Sequence, residues 1–470
     1  MNSTYDLVVV GAGPAGMAAC IQACQHGLRV LLLDEQDGVG GQIYRGLDNL
    51  SVTGPWVDGD TLLAGQTLVA AWRDCDCDYH GGASVWNITP AGEIGYTRNG
   101  EARMLQAQAI ILATGAMERP FPIKGWTLPG VMTVGGAQIL LKTEGLAANH
   151  AVFVGMGPLL YLTAYQYIQA GVKVQAVLDT TPNYGRQPWL VVRGLVGGAG
   201  DLFDGIHMLA ALRRHGVQHI TRVKAVELIG KDTVSGLAYH RRGRWQQLQT
   251  EHVFLHQGVV PNTSLTMAGG CEHTWDASQL CWRPKTDSWG ATSVKSIYLA
   301  GDGRRIAGAR AAPSQGALAA LQVACQLQRI SPEQRDAEAA VWRKDLRRAT
   351  ALRPWLDAVF QPPQSNRLPA SDATLVCRCE EVTAGEVKAA LAMGCPGPNQ
   401  VKSFTRCGMG PCQGRQCGLT LTEMSAQALQ TSPDAVGHLR LRMPVKPLTF
   451  QALANLTEAI QENEAGCEHR

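Results

Sequence analysis

The sequence predicts an α/β protein that contains two Rossmann-like dinucleotide-binding domains followed by a small cysteine-rich helical domain. Residues 6–42 are typical of a strand, a glycine-rich turn, a helix and a second strand, and residues 151–179 repeat this order. Residues 375–420 carry two close pairs of cysteines with glycines around them. A chain of 470 residues is too long for one hydrophobic core, so two or three domains are expected.

The first stretch has the features of a nucleotide-binding turn. Gly11 permits a tight turn, Gly13 lets the backbone approach a pyrophosphate, and Gly16 lets the helix pack close to the strand. The free N–H groups at the start of the helix favour phosphate. Asp34 and its neighbour Glu35 follow the second strand, where a carboxylate can accept hydrogen bonds from ribose hydroxyls.

Composition and charge exclude several classes of protein. The formal net charge of +3 gives no indication of nucleic-acid binding. No apolar run reaches the roughly 18 residues that a membrane span needs, and the first strand begins too early to leave room for a signal peptide. The 14 cysteines are therefore expected to be reduced thiols or metal ligands in a cytoplasmic protein.

Three more motifs extend the first domain. Residues 40–42 (Gly-Gly-Gln) let the backbone approach a flat ring or a second phosphate, and a buried strand ends at residues 113–115 (Ala-Thr-Gly). A later strand over residues 293–303 ends on Asp302. Together with the opening turn, these motifs resemble the two-dinucleotide-domain flavoprotein family that includes glutathione and thioredoxin reductases.

The resemblance implies that FAD binds to a discontinuous domain formed by residues 1–118 and 285–330. Asp302 would bond to the ribityl chain and Gly115 would line the adenosine side, although Asp302 could instead be a simple turn residue. A plain adenine nucleotide in place of FAD is kept as an alternative. The predicted cofactor-binding residues are Gly11, Gly13, Pro14, Ala15, Gly16, Asp34, Glu35, Gly41, Gln42, Ala113, Thr114, Gly115, Gly301 and Asp302.

Residues 119–284 are predicted to form a degenerate second dinucleotide domain. Gly155 and Gly157 keep the turn, but Leu160 replaces the third glycine and would hold helix and strand apart. No arginine cluster follows the second strand, which makes NADPH the least favoured ligand. A structural relic and a working nicotinamide site remain equal alternatives.

Disulfide reduction is excluded by the positions of the thiols. No cysteine lies between Cys77 and Cys271, and none follows Asp34 in the glycine-rich loop, which are the two regions where dithiol reductases carry their cysteine pair. Cys20 and Cys24 are expected to pack as small apolar residues on the first helix. Cys75 and Cys77 are interpreted as bystanders.

Residues 373–425 are predicted to form a metal-binding domain after a linker over residues 331–372. Cys377 and Cys379 sit two apart, so both thiols of an extended segment point to one side. Thr383 and Glu386 form a capping-box pattern for a following helix. Cys412 and Cys417 complete two close pairs, which suit an iron–sulfur cluster or zinc.

The spacing of these cysteines resembles the bacterioferritin-associated-ferredoxin type of [2Fe-2S] domain. The spacing departs slightly, because this chain closes with CxxxxC where that ferredoxin has CxxC. The resemblance implies ligation by Cys377, Cys379, Cys412 and Cys417, with Cys407 outside the cluster and Cys395 spare. Arginines near the cluster would raise its potential or form a docking rim; they are Arg378, Arg406 and Arg415. Residues 426–470 form a C-terminal tail, which wraps back on the core or binds a partner.

Over nearly its full length the chain resembles the FAD- and [2Fe-2S]-containing α subunits of heteromeric amine-oxidising dehydrogenases. That family includes opine (octopine and nopaline) oxidases, D-hydroxyproline and proline dehydrogenases, and hydrogen cyanide synthase. The resemblance implies a catalytic FAD-containing β subunit that oxidises the C–N bond, a small γ subunit in some members, and a second flavin (FMN) at a subunit interface. The α chain would pass electrons to a quinone or another acceptor, with membrane association through that acceptor as an alternative to a purely cytoplasmic location.

Two other functions are kept as alternatives. The first is a self-sufficient NADH-dependent reductase of an external acceptor, which a functional site at Gly155 and Gly157 would favour. The second is a non-catalytic binding or scaffold subunit that docks a partner through the cysteine-rich domain. No catalytic base and no clamp for a substrate carboxylate is identified in the sequence.

Overall fold

The computed structural model of the chain describes residues 4–46, 54, 56, 59–182 and 205–456. The strands are β1 (Thr4–Val10), β2 (Val30–Leu33), β3 (Cys77–His80), β4 (Ser84–Ile88), β5 (Glu93–Arg98), β6 (Glu101–Leu112), β7 (Ala116–Glu118), β8 (Val131–Thr133), β9 (Ala151–Met156), β10 (Val174–Asp179), β11 (Gln218–Ile220), β12 (Ala225–Gly230), β13 (Val234–Arg241), β14 (Arg244–Gln249), β15 (Val253–Gln257), β16 (Val259–Pro261), β17 (His273–Asp276), β18 (Cys281–Pro284), β19 (Ile297–Leu299), β20 (Leu375–Cys377) and β21 (Val382–Thr383). The helices are α1 (Pro14–Gln25), α2 (Gly59–Arg73), α3 (Val134–Glu144), α4 (Pro158–Gln169), α5 (205–214), α6 (Ser264–Ala268), α7 (Ala312–Gln326), α8 (Pro332–Ala349), α9 (Arg353–Val359), α10 (Gln364–Arg367), α11 (Ala384–Ala392), α12 (Pro398–Thr405), α13 (Gly418–Ala428) and α14 (Pro433–Val436).

The first domain is built on a sheet to which seven strands contribute within the described part of the chain. Its order is β3-β2-β1-β6-β5-β4, and β19 pairs with the free side of β6 near the end of that strand. Strands β1, β2, β3 and β19 run parallel to their neighbours, whereas β4, β5 and β6 form an antiparallel meander. The chain therefore leaves this sheet after β6 and returns to it at β19, as a discontinuous domain requires.

Helices α1 and α7 cover one face of the first sheet and touch each other closely. A Cβ on Gly316 of α7 would lie 1.9 Å from the carbonyl oxygen of Ala15, so only glycine permits this approach. Buried residues of both helices join the strands in one apolar core, represented by Met17, Ala19 and Leu321. This packing fixes the start of α1 against the sheet, which positions the glycine-rich turn.

The second domain contains a parallel sheet of five strands among the described residues, in the order β11-β10-β9-β15-β8. Helices α3 and α4 pack on one face through Val134, Leu160 and Phe153. The separate sheet β12-β13-β14 packs on the other face, where Val154 meets Leu237. A sheet with a parallel dinucleotide-type half in the first domain and a parallel sheet in the second confirm the predicted α/β fold class.

Residues 331–372, predicted to be a linker, form α8, α9 and α10 instead of an extended connection. The charged residues of this stretch occupy the outer face of α8, while Ala339, Trp342 and Leu346 pack on the core of the first domain. The composition suggested a linker because a solvated helix face and a loop have similar proportions of charged residues.

The cysteine-rich domain is a small helical unit around α11, α12 and α13. The predicted capping box is confirmed, because the Thr383 hydroxyl accepts from the N–H of Glu386, and the Glu386 carboxylate accepts from the N–H of Thr383. After this unit the chain returns to the first domain. Val445 is buried there, and its N–H donates to the carbonyl of Trp86 (3.0 Å).

Candidate functional site

The glycine-rich turn after β1 has the close contacts that its sequence predicted. Gly11 has a φ of +108°, and a Cβ at this position would lie 2.4 Å from the carbonyl oxygen of Ala113. A Cβ on Gly16 would lie 1.8 Å from the carbonyl oxygen of Gly11. Gly13 is the N-cap of α1, no side chain caps the helix, and its first turn holds no acid. The N–H groups at the N-terminus of α1 are therefore available to a phosphate.

The second glycine segment lies directly against this turn. The N–H of Gly40 donates to the carbonyl of Ala12 (2.9 Å). Gly41 has a φ of +61°, and a Cβ there would lie 2.7 Å from the Cα of Gly13. A Cβ on Gly13 would lie 3.7 Å from the Cα of Gly41, which is an ordinary contact. The two segments thus form a cradle whose walls are bare backbone.

The acids after β2 lie at one edge of the cradle. Asp34 accepts from the N–H of Ala12 (2.5 Å) and of Gln36 (2.8 Å). Burial raises the pKa of the Asp34 carboxyl, although those two N–H groups act in the opposite direction. The neighbouring Glu35 pairs with Lys446 from the C-terminal segment. Asp34 is therefore held by the turn itself, at the position where a ribose-binding carboxylate is expected.

The other predicted cofactor residues meet the cradle from the opposite side. A Cβ on Gly301 would lie 3.1 Å from the Cβ of Ala15, so the segment with Asp302 contacts the first turn of α1. A Cβ on Gly303 would lie 3.3 Å from the hydroxyl of Thr114. Asp302 accepts from two N–H groups of the following loop through Oδ1. Stretches that are far apart in the sequence thus converge beside the first turn of α1.

Two buried polar side chains near the cradle were missed by the sequence analysis. Gln315 lies in the first turn of α7, and its Oε1 is buried without a hydrogen-bond partner among the described residues. The Nε of Arg45 is likewise buried and has no hydrogen-bond partner among those residues. Buried polar atoms ordinarily have partners, so these two are consistent with a bound polar ligand. Neither residue belongs to a motif that could have revealed it.

Lys142 is a third residue that no motif indicated. It lies on α3, is only 8% exposed, and its Nζ donates to the carbonyls of Gln42 (3.1 Å) and Ile43 (3.2 Å). Burial, with a smaller contribution from Arg45, lowers the pKa of Lys142 to about 8. The ammonium of Lys142 thus fixes the segment that directly follows Gly41.

The corresponding acid of the second domain is closed off. Asp179, at the end of β10, has no exposed surface and accepts from the hydroxyl of Tyr161 and from the N–H of Thr181 (2.7 Å). Leu160, in place of the third glycine, is also fully buried in the core of α3 and α4. A ribose could reach Asp179 only if Tyr161 moved away.

Side chains also fill the crevice at the carboxyl ends of the strands in the second sheet. Gln257, at the end of β15, donates to the hydroxyl of Thr180 (3.1 Å). Its amide oxygen accepts from Asn366 of α10 (3.4 Å), and all three side chains are buried. Ligands of parallel sheets bind at this edge, and here the helical segment after the first domain occupies it.

We therefore expect NADH to leave the visible spectrum of the anaerobic protein unchanged for minutes, whereas dithionite bleaches it. The physical reason is that Asp179 is used by Tyr161 and Thr181 and has no exposed surface. Stopped-flow absorbance after anaerobic mixing measures this directly. Bleaching by NADH within seconds would show that the second domain binds the dinucleotide despite Leu160. A Tyr161→Phe variant, which lacks the hydroxyl, is the control for the role of that bond.

The cysteine-rich domain brings five thiols into one neighbourhood. The sulfurs of Cys377, Cys407 and Cys417 all lie within 4.8 Å of one another, and these three residues are buried. The thiol of Cys379 contacts the thiol of Cys412 and is close to the N–H of Cys412. The sulfur of Cys407, a residue that the sequence analysis placed outside the ligand set, lies beside those of Cys377 and Cys417, and the ligand set stays a prediction.

The environment of Cys377 favours its thiolate form, whereas neighbouring thiols and burial raise the pKa of Cys379, Cys407 and Cys417. Hydrogen bonds from Cys407 and Cys417 lower the pKa of Cys377 to about 2, and N–H groups of Gly408 and Glu380 contribute. Gly408 has a φ of +93°, a left-handed conformation that glycine adopts without strain. Thiolates with backbone N–H donors are the ligands that iron–sulfur clusters require.

Comparison with known proteins gives family matches to two parts of the chain. Residues 5–316 match the pyridine nucleotide-disulphide oxidoreductase family, and residues 371–456 match the sarcosine oxidase A3 domain. The A subunit of opine oxidase from Agrobacterium tumefaciens is 43% identical over 97% of this chain and 92% of its own length. The hydrogen cyanide synthase subunit HcnB of Pseudomonas aeruginosa is 31% identical over 96% of this chain and 99% of its own.

Among solved structures, L-proline dehydrogenase from P. horikoshii superposes with a TM-score of 0.69 at 18% identity, covering 96% of this chain and 79% of that one. This similarity concerns the fold alone. The fold and the cradle define a flavin-dependent oxidoreductase. The chain belongs to the pyridine nucleotide-disulphide oxidoreductase family and, within it, to the group that contains HcnB and the A subunit of opine oxidase. No helix among the described residues is long and apolar enough to cross a membrane.

Proposed function

We propose that this chain is the electron-transferring subunit of a heteromeric dehydrogenase that oxidises the C–N bond of an opine or amino acid. The A subunit of opine oxidase, a relative from a multi-subunit enzyme, shares 43% identity over nearly the whole chain. The observation that carries the proposal is the presence, in one chain, of a dinucleotide cradle, a cluster of thiols and a second dinucleotide-type sheet whose terminal acid, Asp179, is buried. Such a chain can store and pass electrons but has no evident donor of its own.

FAD is the proposed occupant of the cradle. The bare N-terminus of α1 and the facing glycines Gly13 and Gly41 fit a pyrophosphate. Asp34 is at the ribose position, and Asp302 is proposed to bond to the ribityl chain. When bound, the flavin supplies two-electron chemistry that can be divided into single-electron steps. The protein holds the dinucleotide in place and excludes water with the buried strands below it.

A [2Fe-2S] cluster is the proposed occupant of the cysteine-rich domain, with Cys377, Cys379, Cys412 and Cys417 as its ligands. The support is that the sulfur of Cys377 lies within 4.8 Å of that of Cys417, with Cys407 equally near, and that the thiol of Cys379 contacts that of Cys412. A two-iron cluster takes two cysteines at each iron. Cys407 is proposed to be a neighbour that donates a hydrogen bond to the sulfur of Cys377.

Electrons are proposed to pass between the two sites within the chain. A cavity of about 70 Å³ lies beside the cluster loop and is lined by Met117, Thr263, Gln413 and Arg415. Burial raises the pKa of Glu35, but the hydrogen bond and charge of Lys446, together with the charge of Arg415, bring it below its ordinary value. The loop between Cys412 and Cys417, the segment that contains Arg415, therefore lies near Glu35 in the domain that holds the cradle.

The remaining parts of the proposed assembly are a catalytic β subunit with its own FAD, an FMN at a subunit interface, and a small γ subunit. A quinone or another carrier is the proposed acceptor. We expect an opine such as octopine to reduce the visible chromophores of the complete complex anaerobically, and to leave those of the isolated chain oxidised.

The measurement is visible absorbance of complex and isolated chain after addition of the same substrate. Reduction of the isolated chain by the opine would disprove the division of labour, because the chain would then contain the catalytic site. Reduction of the isolated chain by NADH would favour the self-sufficient reductase. A chain that purifies with neither flavin nor iron would favour the scaffold role.

A further inference from the structure

The segment that leaves the cysteine-rich domain returns to the edge of the proposed FAD cradle, and the proposed function gives this segment no task. We call residues 439–446 the strap. It begins at Leu439, in the core of the cysteine-rich domain, and ends at Lys446, which pairs with Glu35. Because the strap contacts both proposed cofactor sites, its contacts decide whether one site can influence the other.

The first end of the strap lies on the loop that carries two of the proposed cluster ligands. The Cδ1 of Leu439 would lie 2.8 Å from a Cβ on Gly408 and 2.7 Å from a Cβ on Gly414. Glycines at both positions let this side chain lie against the backbone of the loop, where it is only 3% exposed. The N–H of Arg440 donates to the side-chain oxygen of Asn399 on α12 (2.8 Å). The strap is therefore held by the cysteine-rich domain at this end.

The other end of the strap is held by the first domain. Val445 is 3% exposed and belongs to the apolar core that also contains Leu33, the last residue of β2. Its N–H donates to the carbonyl of Trp86 (3.0 Å). Among the described residues, Lys446 is the cation that forms an ion pair with Glu35. The burial of Val445 thus fixes the place of the neighbouring ammonium group.

The charges at this edge of the cradle make the ammonium group important. Asp34 and Glu35 are consecutive acids, and Asp34 accepts from the N–H of Ala12 within the glycine-rich turn (2.5 Å). A pyrophosphate in the cradle is itself an anion, and like charges repel one another. Lys446 offsets the charge of Glu35, and its side chain is only 25% exposed, which limits screening by solvent. The ion pair therefore favours an anionic ligand beside the two acids.

We infer that Lys446 is a positioning residue of the FAD site, supplied by the same strap that lies on the cluster loop. The inference rests on the proposed FAD site. Lys446 acts through Glu35 and lowers the electrostatic cost of a dinucleotide in the cradle. Coupling between two sites is reciprocal, so bound FAD also favours the docked strap. Loading of the cradle thereby holds the cluster loop on the first domain.

The first test is the dissociation constant of FAD from the flavin-free, full-length chain, measured by calorimetry. Lys446→Ala is expected to weaken FAD binding about fivefold, the size of effect that loss of a partly exposed ion pair produces. The difference should shrink at high salt, because salt screens exposed charges. Lys446→Arg keeps the charge and should bind FAD as the wild type does. Lys388→Ala is the matched control, because Lys388 pairs with Asp372 within the cysteine-rich domain.

The second test is the rate at which trypsin cleaves the strap, which contains the exposed residues Arg440 and Arg442. FAD is expected to slow this cleavage severalfold in the wild type and less in Lys446→Ala, since proteolysis follows the population of undocked strap.

Three results would overturn the inference. They are unchanged FAD affinity of Lys446→Ala, an equal loss of affinity in Lys388→Ala or Lys446→Arg, and a cleavage rate that does not respond to FAD. A wild-type chain that binds no FAD gives a different result, because it refutes the proposed cofactor and the inference with it.

Discussion

Replacement of Cys417 by serine is expected to remove the visible absorption of the iron–sulfur cluster while the flavin absorption remains. Cys417 is fully buried, and its sulfur lies within 4.8 Å of those of Cys377 and Cys407, so no water-exposed group can substitute for it. Loss of a ligand should reduce bound iron by about tenfold or more, since even outer-shell changes weaken metal binding by that factor. Iron content and visible circular dichroism of the purified variant measure the effect.

The control for this prediction is Cys395→Ser. Cys395 is buried in the same small domain but is not one of the clustered thiols. Its replacement perturbs the packing to a similar degree without removing a proposed ligand. If Cys395→Ser loses iron as completely as Cys417→Ser, the loss reflects misfolding of the domain and not the absence of a ligand.

Serine variants of Cys407 and Cys412, made separately, test which cysteines are ligands. We expect Cys412→Ser to lose the cluster, because its thiol is the one that contacts Cys379. Cys407→Ser is expected to keep the cluster, with its spectrum shifted by the loss of one hydrogen bond to Cys377. The opposite result would assign Cys407 as the fourth ligand, as its proximity to Cys377 and Cys417 also permits.

Gly13→Val is expected to give a folded protein that contains almost no flavin. A Cβ at this position meets only the Cα of Gly41, at 3.7 Å, so the turn itself can accept the substitution. The two methyl groups would extend into the cradle in front of the N-terminus of α1, where a pyrophosphate is proposed to lie. The measurements are the flavin-to-protein absorbance ratio, the far-ultraviolet circular dichroism and the iron content.

Gly16→Val provides the contrast. A Cβ on Gly16 would lie 1.8 Å from the carbonyl oxygen of Gly11, so α1 would have to move off β1. This overpacking should destabilise the domain by on the order of 3 kcal/mol or more. We therefore expect Gly16→Val to lower the melting temperature and Gly13→Val to leave it nearly unchanged. Flavin-replete Gly13→Val protein would refute the position assigned to the pyrophosphate.

The sequence by itself determined the features that depend on neighbouring residues. The roles of Gly11 and Gly16 could be read directly, because a strand, a turn and a helix in succession define their own contacts. The capping box of Thr383 and Glu386 was predicted for the same reason. The overall order of two dinucleotide domains and a thiol-rich domain followed from repeated local patterns.

The tertiary structure decided what depends on residues that meet from distant parts of the chain. No spacing indicated that Tyr161 would close Asp179, or that Asn366 would enter the edge of the second sheet. Lys142 supports a loop about a hundred residues earlier, which leaves no local signal. The thiol of Cys24 on α1 donates to the carbonyl of Asp76 in the turn before β3 (3.3 Å), a contact between segments about fifty residues apart. Side-chain direction and burial are set by packing between elements, and a single sequence records the elements but not how they pack.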